Sequence, residues 1–547
     1  MIRSWHLPEK PASRQVVNSM APRTRRWMKE RATVERHVGV SGLIKPAFKV
    51  CAHDRAAPGR IMALTESEQT FQRFSVREVE VAVRALSRLE PLIGVERFTA
   101  LRLAAAQASR RLEGMTFWNL SSTAAGGGVA ELLQVLVGYT LDANIDIRWL
   151  VMSGDAEFFS TTKRIHNRLH GTAGDAGGLG PNEAAHYADI MAANVVSVMS
   201  RVRRGDLVLL HDPQTVGMAP ELAEAGARVI WRCHVGREGS NEWTDEAWSF
   251  LRPHLAHCEA HIFSLRQYVP SWMDESRVRV IPPSIDPFSP KNQEMSQSDV
   301  IRTLRRIGLL DKSEQNSAST FTRRDGTPGR VERRAAILSD GASALDPDIP
   351  LVVQVSRWDR LKDMTGVMRG FASAVPGHLT AQLALVGPSV ASISDDPEGA
   401  EVFAECVATW EALPVDARRR IKLVTLPMED IDENAAMVNA LQRHATVIVQ
   451  KSLAEGFGLT VAEGMWKGRA LVASRVGGIT EQIAPGTGLL LDDPTDLPAF
   501  GNILAGLLAR PDQIAELGAR ARQHVLETFV GDKHLLRYAQ LIEWLVS

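Results

Sequence analysis

Two glutamates, Glu455 and Glu463, stand eight positions apart in the stretch SLAEGFGLTVAEG, around a Gly-Phe-Gly core. Carboxylates this close can work as an acid and base pair, or can hold hydroxyl groups, and the flanking residues bear on the choice. TVIVQKS before them reads as a buried strand and LTVAEGMWKG as the helix that follows, so EGFG is a strand-to-helix turn. Gly456 and Gly458 free the backbone at the helix N-terminus, where exposed amides and the helix dipole favour an anion such as phosphate. Glu463 lies one turn into the helix on the face of Leu459, a turn deeper than Glu455. A carboxylate beside a phosphate repels it, so both glutamates suit neutral hydroxyls, which a sugar and a ribose carry.

Other constellations sit at comparable places. In WNLSSTAAGGGVAELLQVL a strand ends near Leu120, Gly126, Gly127 and Gly128 form a loop, and a helix starts at about Val129. That is a second phosphate cradle, or equally a packing turn. LLHDPQTVG delivers His211, Asp212 and Gln214 from a strand end, and IWRCHVG delivers Arg232 and His234. One histidine of this kind is more often structural, but two successive polar strand ends favour a ligand site, because open parallel sheets bind at that edge. In QVSRWDRLKDMTGV, Arg357 and Lys362 lie five apart beyond another strand, as neutralisation of a diphosphate requires. The competing reading is a solvated basic loop. ASRVGGITEQI adds Gly477 and Gly478 in a further tight turn.

The elements that would position these residues follow from the apolar runs. FWNLSS, IRWLVMS, DLVLLHD, RVIWRCHV, HIFSL and VRVIPPSI alternate with helical stretches, and a second series runs from LVVQVSRWD through AQLALVG, IKLVTLP, TVIVQKS and ALVASRVGG to GLLLDD. Strand-helix alternation of this kind predicts α/β architecture with two Rossmann-like, doubly wound domains. The expected layout is an extension of low structure over 1–62, a first domain over 63–285 that opens with two amphipathic helices between Glu66 and Leu112, and a second over 286–530. The Ser-, Arg-, Gly- and Asp-rich segment 311–348 is expected to be a mobile surface insertion, and 531–547 a last helix that periodicity alone cannot place.

With 547 residues, 45% hydrophobic and 23% charged, the composition is that of a globular chain of more than one domain. A formal charge of -1 gives no electrostatic case for nucleic acid or an anionic membrane. The apolar runs are strand-sized, and the basic N-terminus lacks the apolar core of a secretory signal. Four scattered cysteines without metal-ligand spacing predict a reducing, cytoplasmic setting and no metal site.

Taken together, S-R-x-D-x-x-K followed by E-G-F-G-L-x-x-x-E resembles the retaining glycosyltransferases of GT-B fold, two Rossmann-like domains facing an interdomain cleft. HDPQ, WRCH, PPSIDP, EGFGLTVAEGMWKG and VGGI resemble, within that group, the trehalose glycosyltransferring synthases, from about Glu66 onward. The resemblance implies transfer of glucose from a nucleotide-glucose donor to a sugar acceptor, glucose itself in the first instance, with no cofactor because the nucleotide sugar is a substrate. It implies that Arg357 and Lys362 hold the diphosphate, Glu463 the ribose and Glu455 the glucose, with the amides of Gly458, Leu459 and Thr460 at phosphate or sugar. The Gly126–Gly128 loop would close over the phosphates, His234 would sit by the glucosyl group, and Asp212, with His211, Gln214 and Arg232, by the acceptor. It also implies a C-terminal helix, 531–547, that crosses back onto the first domain. The oligomeric state is open, a homodimer included. Asp363 stands where relatives have Gly, Val235-Gly236 where Ile-Asp is common, and Thr215 where Pro is. A trehalose phosphorylase and a non-catalytic sugar-nucleotide-binding protein are the alternatives; an NAD-dependent oxidoreductase is remote, since neither glycine loop has the G-x-G-x-x-G spacing.

Overall fold

The computed structural model describes residues 74–546 apart from 125–127, 176, 312–318, 342–343, 376–380 and 391–396. The extension 1–62, Gly126 and Gly127 therefore lie outside the described residues. All described residues belong to one compact unit, Leu64–Ser547. Among them no helix is long and apolar enough to cross a membrane.

Two seven-stranded sheets carry the fold. The first comprises β1 (Arg77–Glu78), β2 (Phe117–Ser121), β3 (Ile147–Val151), β4 (Leu207–His211), β5 (Arg228–Cys233), β6 (Ala260–Phe263) and β7 (Val278–Val280). A separate hairpin follows, β8 (Ser319–Thr322) and β9 (Pro328–Val331). The second sheet comprises β10 (Ala336–Leu338), β11 (Leu351–Val355), β12 (Gln382–Pro388), β13 (Ile421–Leu426), β14 (Val447–Gln450), β15 (Ala470–Ser474) and β16 (Leu489–Leu491). Every residue of β2, β4, β6, β13, β14 and β15 is buried, as parallel strands covered on both faces must be.

Strand order explains where the polar strand ends meet. The first sheet runs β1-β3-β2-β4-β5-β6-β7 and the second β10-β13-β12-β11-β14-β15-β16. The connections reverse direction between β2 and β4 in the first and between β11 and β14 in the second. A crevice opens at such a reversal, at the carboxyl ends of the strands. His211 leaves β4 at the first reversal; Arg357 follows β11 and Glu455 follows β14 at the second.

Two sequence expectations fail. VREVEVAVRALSRL is not a helix: Arg77 and Glu78 pair antiparallel with Val151 and Leu150, and a one-turn 3-10 segment, Leu86–Leu89, precedes the long helix Glu90–Arg111. Val79, Val81 and Val83 recur every second residue, a spacing that no helix face gathers and that suits extended chain. The insertion 311–348 likewise carries the β8–β9 hairpin and β10, which pairs antiparallel with β13. Few of its residues are large and apolar, because ion pairs dock it. Arg323, Arg324 and Arg333 bind Asp430, Asp432 and Glu433 at the start of helix Ile431–His444.

The chain passes between the halves at Ile285 and again at Val530, and these two residues form a single parallel bridge. Beyond the second crossing, helix Gly531–Val546 lies on the first sheet. Its Tyr538, Leu541, Ile542 and Leu545 share a core with Phe117, Trp149, Leu207, Leu209 and Ile230. At ~1.5–3 kcal/mol per fully buried large apolar side chain, this contact is a major contribution to the first half. Asp532, fully buried, accepts from Arg97 Nη2 at 2.8 Å on both oxygens. Asp532→Ala is expected to cost roughly 2–3 kcal/mol, since breaking a buried pair strands a partner that is here a quarter exposed. The urea midpoint measures it, and an unchanged midpoint would remove the pair from the list of stabilising contacts.

Candidate active site

Beyond β11 the chain runs through Arg357 and Asp359 into a 3-10 turn, Arg360–Lys362. Lys362 Nζ lies 2.5 Å from Glu455 Oε2, which also accepts from Ser452 Oγ at 3.2 Å. Leu453 N–H donates to Leu361 O at 2.7 Å, so the loops after β11 and β14 are joined by backbone as well as by charge. Arg357 Nη2 is 3.1 Å from Asp359 Oδ2, with half of the arginine side chain exposed. Helix Leu459–Trp466 starts after Gly458, at φ +83° and with no side-chain cap, so its first-turn N–H groups, those of Leu459 and Thr460, form the positive end of a helix dipole.

The EGFG turn is clamped from both sides. Behind it, Cβ atoms at Gly477 and Gly478 would fall 1.8 Å from Glu455 O and 2.6 Å from Phe457 Cα, so only glycine fits the VGG turn. In front, Tyr268 of the first half donates to Gly456 O at 2.5 Å and to Glu455 O at 3.1 Å. Tyr268 also accounts for one departure from the family pattern: a Cβ at Gly236 would meet its ring at 2.5 Å. Gly128, first residue of helix Gly128–Asp142, sits opposite, its Cβ position 3.3 Å from Leu459 Cδ1. The described end of the glycine loop thus faces the N-terminus of helix Leu459–Trp466.

Across the cleft, His211 and His234 stack with centroids 5.3 Å apart and planes at 15°. His211 Nδ1 and His234 Nε2 are 3.0 Å apart, and His211 Nε2 is 3.3 Å from Asn119 Oδ1. Burial holds both imidazoles well below the usual histidine range, Arg232 adding to it, so both are neutral. Asn119, His211 and His234 thus form one hydrogen-bonded chain whose direction is set by the tautomers of the two rings. Asp212, at φ +62°, accepts from His234 N–H at 2.7 Å. Burial pushes its carboxyl up to about 7, against the pull of that bond and of Arg232. The two halves touch here: a Cβ at Gly456 would lie 3.1 Å from His234 O and 3.6 Å from His170 Cε1.

Gln214 is partly buried in the loop after β4. Arg232 needs correction: fully buried, it binds Tyr538 Oη, His534 Nε2 at 3.2 Å and Ile281 O at 2.9 Å, which ties it to the last helix rather than to an acceptor. Asp363, where a glycine was expected, is at φ +45°, a conformation Asp tolerates, caps helix Met364–Ala374 through Gly366 N–H, and has its charge matched by the buried Lys451.

Glu463 is buried in a crevice with Lys291, Glu131 and Leu459. Burial raises its pKa, and Lys291 opposes the rise. Lys291, Glu131, Tyr268 and the pair His166 and His170 were not singled out from sequence. Only the histidines left a signal there, an i, i+4 pair at the end of helix Ala156–Leu169; their rings are 5.1 Å apart, and His170 is held down to about 4 by burial.

These two Rossmann-like sheets, with polar strand ends and glycine turns facing one cleft, have the architecture of the glycosyltransferases of the GT-B class. An α,α-trehalose-phosphate synthase (UDP-forming) from Burkholderia xenovorans, in complex with glucose-6-phosphate, has that fold; it matches 79% of this chain and 100% of its own with a TM-score of 0.56 at 14% identity. The family model for the N-terminal domain of trehalose synthase matches residues 119–270, and that for glycosyl transferases group 1 matches 418–510. The trehalose synthase of Pyrococcus horikoshii is 32% identical over 479 residues, 86% of this chain and 98% of that one. A trehalose phosphorylase from Grifola frondosa is more distant, 23% identical over 74% of this chain and 54% of its own. The chain belongs to the trehalose synthase family.

Proposed function

We propose that the protein transfers glucose, with retention of anomeric configuration, from a nucleotide-glucose donor to a sugar acceptor, glucose in the first instance, giving trehalose. The observation that carries the reading is the Lys362–Glu455 pair, a cation and a carboxylate 2.5 Å apart at the second reversal point, which suits a phosphate beside sugar hydroxyls. Arg357, Lys362 and the N-terminus of helix Leu459–Trp466 receive the diphosphate, Glu455 the glucose hydroxyls and Glu463 the ribose. Asp212 and the neutral His234 face the acceptor, and Gln214 flanks them.

In the reaction the acceptor oxygen bonds to the anomeric carbon on the face the leaving group occupies. The bond from that carbon to the phosphate oxygen breaks, and the acceptor proton passes to the departing phosphate. Charge grows on that phosphate as the bond breaks, and preorganised cations stabilise it where it appears. The transfer needs groups from both halves, so neither works alone.

The test is a panel of UDP-, ADP- and GDP-glucose with glucose and other sugars as acceptors, read by product identity and anomeric configuration. The expected product is α,α-trehalose from at least one donor. Turnover of glucose 1-phosphate with glucose, and of no nucleotide sugar, would place the activity with the phosphorylases. Binding without any transfer would make the protein a sugar-nucleotide binder.

A further inference from the structure

Segment 286–294 runs between the halves and is fastened to the second. Asn439 Nδ2 donates to Pro290 O at 3.1 Å and to Gln293 O at 2.8 Å, Arg443 to Asn292 O at 3.2 Å, and Trp466 Nε1 to Asn292 O at 3.0 Å. The backbone on both sides of Lys291 is therefore fixed. From that mount Lys291 Nζ reaches both oxygens of Glu131 at 2.9 Å and Oε1 of Glu463 at 3.3 Å. Its three N–H donors thus match three carboxylate oxygens. Glu131 lies on helix Gly128–Asp142 of the first half and Glu463 on helix Leu459–Trp466 of the second. The neighbouring Lys467 turns instead to Asn292 Oδ1 at 2.9 Å and the Glu463 carbonyl at 3.2 Å.

Resting on the reading that Glu463 holds the ribose, we propose that Lys291 is the positioning residue of the donor site, keeping the Glu463 carboxylate charged and fixed so that it accepts from the ribose hydroxyls. A carboxylate accepts on both oxygens only when ionised; protonated, it turns one of them into a donor. The Glu463 side chain is 6% exposed and packed beside Leu459, so removal from water disfavours its charge. An ammonium 3.3 Å away restores that charge and fixes the carboxylate's rotation. Glu131 in turn holds the ammonium from the opposite half, so the contact is complete only when the helix behind the glycine loop is in place.

The experiment measures affinity by calorimetry for UDP, ADP and GDP, then for the 2′-deoxy form of whichever binds. Wild type is expected to prefer the ribonucleotide. Lys291→Met, similar in length and suited to an apolar neighbour, is expected to lose about tenfold or more in affinity and to lose the preference for the 2′-hydroxyl, while Lys291→Arg keeps both. Lys291→Gln gives the same reading should the methionine variant fail to fold. A merely structural lysine would weaken both nucleotides alike and leave the preference intact, which would overturn the proposal while the functional reading stands. Wild type that binds no nucleoside diphosphate, or shows no 2′-hydroxyl preference, would overturn the assignment of Glu463 and this inference with it.

Discussion

Lys362→Ala is expected to lower kcat/KM for the nucleotide sugar by a hundredfold or more. Two effects act together. The variant loses a cation that meets the charge developing on the leaving phosphate, a contribution of ~3 kcal/mol in comparable electrostatic sites. It also leaves Glu455, whose side chain is 12% exposed, facing the incoming diphosphate with its own negative charge unmatched. Arg357→Ala keeps the Lys362–Glu455 pair, so it shows the first effect without the second and falls less. The double variant Lys362→Ala/Glu455→Gln separates the terms, because it removes the repelling charge and recovers part of the loss. Near-wild-type turnover in both single alanine variants would remove the diphosphate assignment.

Asp212 is expected to make activity and stability run in opposite directions with pH. Burial lifts its carboxyl to about 7, while an unfolded aspartate titrates near 3.9. Between those values the folded chain holds a proton that the unfolded chain has released, so stability falls as pH rises from about 4 through about 7. Ionised Asp212 is the stronger acceptor for a sugar hydroxyl, so kcat/KM rises as pH passes about 7. His211 and His234, held neutral by burial, contribute no titration there. Asp212→Asn should flatten both profiles and lower kcat/KM by about tenfold to a hundredfold, the loss of one hydrogen bond to a charged group. A pH–rate profile that keeps its slope in the variant would assign the titration to another group.

The strand ends of both sheets were legible because their strands are short, mostly apolar runs, and such runs place the next polar residues at a ligand edge. That logic singled out His211, Asp212, His234, Arg357, Lys362 and Glu455, which the structure places at strand ends. It misjudged Arg232, because alternation along a strand says that a side chain leaves one face but not which helix covers that face. Here the cover is helix Gly531–Val546, some three hundred residues later in the chain. Lys291 and Tyr268 could not be found by periodicity at all, since each acts from a connecting segment across the cleft. The β8–β9 hairpin was hidden for a related reason: its docking is written in Arg–carboxylate pairs rather than in apolar pattern.

The placement of helix Gly531–Val546 also sets an order of events during synthesis. The first sheet is finished when β7 leaves the ribosome, yet part of the face that helix Gly128–Asp142 covers stays open until Tyr538, Leu541, Ile542 and Leu545 have been added. At about 5–20 residues per second the whole second half takes roughly ten to fifty seconds to make. During that interval the nascent first half carries an open apolar patch, which a chaperone can occupy. The second half, whose core is contiguous in the chain, is complete first.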